Sequence, residues 1–154
     1  MRADIQHYFT LLNDLYGKKL TLYRKLAENT EECNFHIVSG NIDRIDEKLE
    51  ESNEVISYID EKDYEITQIK SEICRLAGIE YYQFERSFLD RVDNELTVKT
   101  RHLLDEMKQL MRRSIDNRDM MIRKLHEKQA KISSSIHSIA RTRALNTRFR
   151  IMHY

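Results

Sequence analysis

Proline and tryptophan are absent from this sequence, and glycine occurs only three times in 154 residues. Without proline nothing locks the backbone out of a helix, and with so few turn formers a many-stranded sheet has no corners. Two cysteines, Cys33 and Cys74, are too few for a disulfide scaffold. No window approaches the roughly 18 apolar residues that a membrane-spanning helix requires. The opening Met-Arg-Ala-Asp-Ile-Gln-His lacks the apolar core of a signal peptide, so a reducing cytoplasm is the expected compartment.

The same scarcity excludes most chemistry. Phosphate-cradling loops and nucleophile elbows need clustered glycines, and there are none. The six histidines (His7, His36, His102, His126, His137 and His153) include no pair at the i, i+4 spacing of helical metal ligands. Glu-x-x-His, the signature of a di-metal bundle, does not occur either. The expectation is a protein with no catalytic residues, no metal, no cofactor and no small-molecule substrate.

What is present is charge and helical periodicity. Charged residues make up 34% of the chain and balance to zero overall, but they are unevenly placed. Residues 28–65 carry 13 acids against three bases, whereas residues 123–154 carry eight bases against Glu127 alone. Such blocks attract each other within a molecule or steer different partners. Ordinary solvated helix faces would give the same composition.

Apolar residues recur at steps of three and four: Ile5, Tyr8, Leu12, Leu15, Leu22, Leu26 and Cys33, with Lys19 and Asn29 filling gaps in the register. Phe9, Leu11, Tyr16, Leu20 and Tyr23 widen this stripe into a broad buried face. Ser39-Gly40-Asn41 closes the helix, because Gly40 can turn left-handed and Asn41 can cap the next one. The register resumes through Ile42, Ile45, Leu49, Ser52, Ile56, Ile59, Asp63, Ile66, Ile69, Ile73 and Leu76, ending at Ala77-Gly78. Two helices joined by so short a turn lie antiparallel, with residue i facing roughly 80 − i. That rule places Cys33 near Glu47 and Cys74 near Gln6, too far apart to bridge, so both thiols are expected to be small core residues.

An aromatic cluster from Ile79 to Phe84, with Phe88 and Leu89, is expected to close the hairpin's end. A third periodic segment then passes through Val92, Leu96, Leu103, Leu104, Met107, Met111, Ile115, Ile122, Leu125, Ile132, Ile136 and Ile139. The expected fold is all-α: one elongated, coiled-coil-like domain over 1–154. It has helices at 4–38 and 42–77, a long helix at 80–140 with a candidate break at Asp93-Asn94, and a basic tail at 141–154.

A third helix of that length outruns its companions. The stripe formed by Ile122, Leu125, Ile132, Ile136 and Ile139 therefore has no mate within the chain, and these five residues are the candidate partner-binding set. Ser133-Ser134-Ser135 and the loss of periodicity beyond Arg141 suggest a segment that frays alone and orders on binding. The basic tail with Phe149 and Tyr154 could also grip nucleic acid, although the acidic middle opposes it. Its apolar part is short for a membrane surface.

Two stretches carry a resemblance. Gly40 to Ile56 (Gly-Asn-Ile-Asp-Arg-Ile-Asp-Glu-Lys-Leu-Glu-Glu-Ser-Asn-Glu-Val-Ile) is an acidic restart after a long first helix, and Asn117 to Leu125 (Asn-Arg-Asp-Met-Met-Ile-Arg-Lys-Leu) lies on a long third helix. This order resembles the FlgN family of flagellar (type III) export chaperones. The resemblance implies a cytoplasmic chaperone that holds terminal helices of late flagellar substrates, typically hook–filament junction proteins, and delivers them to the export apparatus. It implies that the C-terminal helix region binds the client and that no nucleotide is used. The alternative is a structural coiled-coil component of a secretion apparatus, such as a stalk similar to FliJ or a self-assembling scaffold, and a homo-oligomer is compatible with either.

Overall fold

The computed structural model describes residues 1–152, with side chains as far as Ala144. Helix α1 spans Ala3–Ser39 and α2 spans Ile42–Ala77. A π-turn over Phe84–Phe88 leads into the single turn α3 (Leu89–Arg91), and α4 runs from Glu95–Met152. Gly40 and Gly78 close the first two helices with φ of 77° and 66°, the left-handed region where glycine has no Cβ to strain. Asn41 precedes α2, but its side chain makes no capping hydrogen bond.

α1 and α2 form the expected antiparallel hairpin. Glu32 pairs with Lys48 at 2.9 Å, which obeys the facing rule without error. The polar residues that interrupt the two stripes meet one another. Asn29 Nδ2 donates to Ser52 Oγ at 3.4 Å, and Lys19 pairs with Asp63. Cys33 and Cys74 are free, buried, and belong to separate apolar clusters.

α4 packs on the other side of α1 and runs parallel to it. Asn13 Nδ2 donates to the Leu96 carbonyl and Asn34 Nδ2 to the Asn117 carbonyl, each at 3.0 Å and each across a separation of 83 residues. Thr100 Oγ1 donates to Asn13 Oδ1 at 2.6 Å. Two buried asparagines bonding at one constant offset pin the register of α1 on α4, because a slip would strand their amides in the apolar seam.

The long third helix of the sequence reading is divided where its weak point was placed. Its first part differs from the expected helix starting at 80: after Gly78 come a turn, the π-turn and α3, and the break covers 92–94. Asn94 Oδ1 accepts the Leu96 N–H at 2.9 Å, while the Asn94 N–H reaches Thr97 Oγ1 at 3.3 Å. The Asn94 side chain caps the first turn, and Thr97 reaches back to the Asn94 backbone as in a capping box. Thr97 and Thr100 are fully buried, the Thr97 hydroxyl within this cap and the Thr100 hydroxyl on Asn13. At the other end, α4 continues past residue 140 as far as Met152, so no separate tail begins at 141.

The π-turn and α3 plug the base of the bundle. Phe84 and Phe88 stack with Phe9 at 5.8 and 6.2 Å between ring centroids. Around them Ile5, Leu12, Tyr16, Ile73, Leu89 and Met107 make the main core. Lys70 pairs with Glu85 at 2.8 Å, and Arg101 Nη1 donates to the Leu89 carbonyl at 2.7 Å, which ties the plug to both outer helices. Tyr81 and Tyr82 of the same aromatic run stay outside, Tyr81 lying against the Lys70 ammonium.

Candidate functional site

The constant offset of 83 sets where α1 stops supporting α4: Ser39 is level with Ile122. From 123 to 152 the helix therefore runs on for about 45 Å with no companion helix among the described residues. The apolar steps of three and four continue along it, on the face that α1 covers further down. Ile122 and Leu125 are 41% and 42% exposed, and Ile132, Ile136 and Ile139 are 61%, 60% and 55% exposed. All five residues of the candidate set thus lie on one face of one helix and are open to solvent. Met121, packed on Cys33, Ile37 and Ile45, is the last anchor before the projection.

α2 lies beside the supported part of α4, whereas the basic block begins where support ends. Arg123, Lys124, Lys128, Lys131 and Arg141 form no ion pair with residues 28–65 in the monomer. The acids there that are engaged pair mainly with α1 or with their own helix, as in Lys25–Glu51, Lys19–Asp63 and Lys48–Glu51. Glu32 is held below the ordinary carboxylate range, first by the hydrogen bond from Lys48, and Lys48 is raised in turn by Glu32 and Glu51.

A second feature was not legible in the sequence. α1 touches α2 and α4 along its length, but α2 and α4 scarcely meet, so a groove opens between them with α1 as its floor. At the base the groove is filled by the aromatic plug. Higher up it is open, with a volume of about 320 Å³, walled by Leu49 and Ile56 of α2 and Met111 and Ile115 of α4 over Tyr23 and Leu26. Every one of those wall residues sits in an apolar register, which is why each reads as core. The structure leaves all four walls exposed, because a register identifies an apolar face and not what covers it.

The upper bundle is also where polar groups go unmatched. Among the described residues, the buried atoms Asn29 Oδ1, Asn34 Oδ1, His36 Nδ1 and Ser114 Oγ have no hydrogen-bond partner. All lie at the level of the open groove or just above it, and none lies at the plugged base. Ser114 lines the groove itself.

Burial raises the thiol pKa of both cysteines, which favours the unreactive protonated form. Tyr16 is likewise pushed above its ordinary value by burial, then by Glu85. Among the described residues no group of three or more histidines, cysteines or carboxylates is placed to hold a metal ion, and no helix is long and apolar enough to cross a membrane. The described residues present two surfaces: an apolar stripe with basic flanks, and an apolar groove whose one charged lining residue is Arg118.

No protein-family model, curated protein or solved structure matches the chain.

Proposed function

We propose that this protein is a non-catalytic helix-docking protein, of the kind that serves flagellar (type III) export as a cytoplasmic chaperone. The observation that carries this reading is the bare stripe Ile122, Leu125, Ile132, Ile136 and Ile139 on the unsupported part of α4. An amphipathic helix seated there removes those side chains from water, each fully buried aliphatic group contributing about 1.5–3 kcal/mol. Lys124, Lys128 and Lys131 flank the stripe, so the fitting partner helix carries acids beside its apolar face. The order of elements that resembles the FlgN family points to terminal helices of late flagellar substrates, of the hook–filament junction type, as that partner.

Co-purification tests this reading. Truncation after Asp119 removes the projection and should abolish capture of a hook–filament junction client while the hairpin keeps its helical signal. Ile132→Glu with Ile136→Glu in the full chain should weaken capture at least about 30-fold, the loss of a hot spot worth ~2 kcal/mol. Client capture undiminished by both changes defeats the reading. The stalk alternative needs two bare helices wound together, and the segment bared here is a single helix, which favours a receiver over a stalk.

A further inference from the structure

We propose that a second copy of this chain fills the open groove: the projecting α4 of each copy lies between α2 and α4 of the other, and the pair forms a two-fold dimer. Three independent observations converge on it. The first is architectural. α1, α2 and α4 occupy three corners of a four-helix bundle, and the plug around Phe84 and Leu89 fills the fourth only at the base. What the upper part lacks is one more helix with one apolar face. The chain exposes one such helix elsewhere.

The second observation is register. Let the two α4 helices cross antiparallel with the dyad at Leu125. Ile132, Ile136 and Ile139 of one copy then lie level with Arg118, Ser114 and Met111 of the other. These three residues line the groove on the α4 side, Arg118 through its aliphatic stem. On the α2 side the offsets already established put Ile136 level with Leu49 and Ile139 level with Ser52, which line the opposite wall. The stripe and the groove are on one continuous helix face, so the same operation serves both copies. Such a contact is self-complementary and closes.

The third is charge. In this arrangement Lys128 and Lys131 of one copy pass along the outer edge of the other's α2, near Asp43, Asp46 and Glu50. These acids are exposed and make no ion pair in the monomer; Lys131 is exposed and Lys128 half-buried, and neither lysine is ion-paired. Stripe-to-stripe pairing of two projections without the groove would instead set basic flank against basic flank. Size is adequate too: the side chains from 123 to 144 cover roughly 33 Å of helix. Two such segments, each seated against two helices, bury an area on the order of the 1,600 Å² typical of a stable complex. The dimer covers the stripe assigned above to a client, so a client would have to displace it. The inference itself stands on the groove and the charges, and needs no client to be true.

Sedimentation velocity on the full chain at tens of micromolar tests it, with circular dichroism to show that every variant stays helical. The wild type should sediment at twice the mass of one chain. Leu49→Glu, in the groove wall and level with Ile136 of the other copy, should halve that mass, and so should Lys128→Glu with Lys131→Glu. Asp46→Lys with Glu50→Lys should do the same. Mixing the two charge-reversed proteins should restore a dimer containing one of each, because both contacts are then again opposite in sign. A monomeric wild type overturns the proposal. So does a dimer indifferent to Leu49→Glu, which would mean stripe-to-stripe pairing, and so does any larger closed or open assembly.

Discussion

Asparagine does more than hydrophobic residues to make this bundle unique. Apolar stripes with a period of three and four tolerate a slip of one heptad, but Asn13 and Asn34 each have one α4 carbonyl within 3.0 Å and an apolar seam on either side. Asn13→Ala should cost about 1–3 kcal/mol, since the Leu96 carbonyl then loses its amide donor and Thr100 one of its two acceptors, as read from urea midpoints at unchanged slope. Gly17 has the opposite sign. It sits within α1, at ordinary helical φ, and a Cβ built there meets nothing within 4 Å. Gly17→Ala should therefore stabilise by about 0.5–1 kcal/mol. The Glu32–Lys48 pair adds a pH dependence of known sign. Glu32 is depressed in the fold, so its contribution is present above its unfolded value of 4.5 and is lost as pH falls through the lower folded value. Lys48 is raised, so its share persists below 10.5 and is lost only as pH climbs past its folded value. Between those limits the pair should leave urea midpoints flat. Lys48→Met should shrink the acid-side loss.

Among the elements, the break before α4 is the one whose physics departs most from its sequence signal. Asp93-Asn94 marks it in the sequence, but what builds it is the cap: the Asn94 N–H donates to Thr97 Oγ1, and the Thr97 hydroxyl lies 2.6 Å from the Val92 carbonyl and 2.8 Å from that of Asn94. Asn94→Ala should cost about 1 kcal/mol, and the chain should still fold. Phe84→Ala should cost about 3–5 kcal/mol, because the fully buried ring stacks on both Phe9 and Phe88 and keeps the base closed. Helix ends at Gly40 and Gly78, the hairpin rule, and the division near residue 93 were all legible, since each depends on local chemistry or on chain reversal. The direction and offset of α4 were not. Periodicity says that a helix has an apolar face, and a connection of some seventeen residues between α2 and α4 lets that helix return either way along α1. For the same reason Leu49, Ile56, Met111 and Ile115 read as core and turned out to wall a groove.

Taken whole, the molecule is a bundle finished at one end and unfinished at the other. The finished end has an aromatic plug, satisfied polar groups and a closed core. The unfinished end has an open groove, four buried polar atoms unmatched among the described residues, and a helix that outlasts its support. That Ile122, Leu125, Ile132, Ile136 and Ile139 stand exposed was legible in the sequence, because the third segment is longer than either hairpin arm. What the stripe holds is not a matter of length, and the chemistry of its flanks, three lysines with no acid partner, has to supply it. The most direct measurement is amide hydrogen exchange across α4, on protein dilute enough to be monomeric, with and without the terminal helix of a hook–filament junction client. Amides between Leu103 and Asn117 should be protected throughout, while those between Arg123 and Ala144 should exchange fast alone and slow on addition of the client helix. Strong protection of Arg123 to Ala144 in the isolated monomer, or no change there on saturation with the helix, would contradict the account.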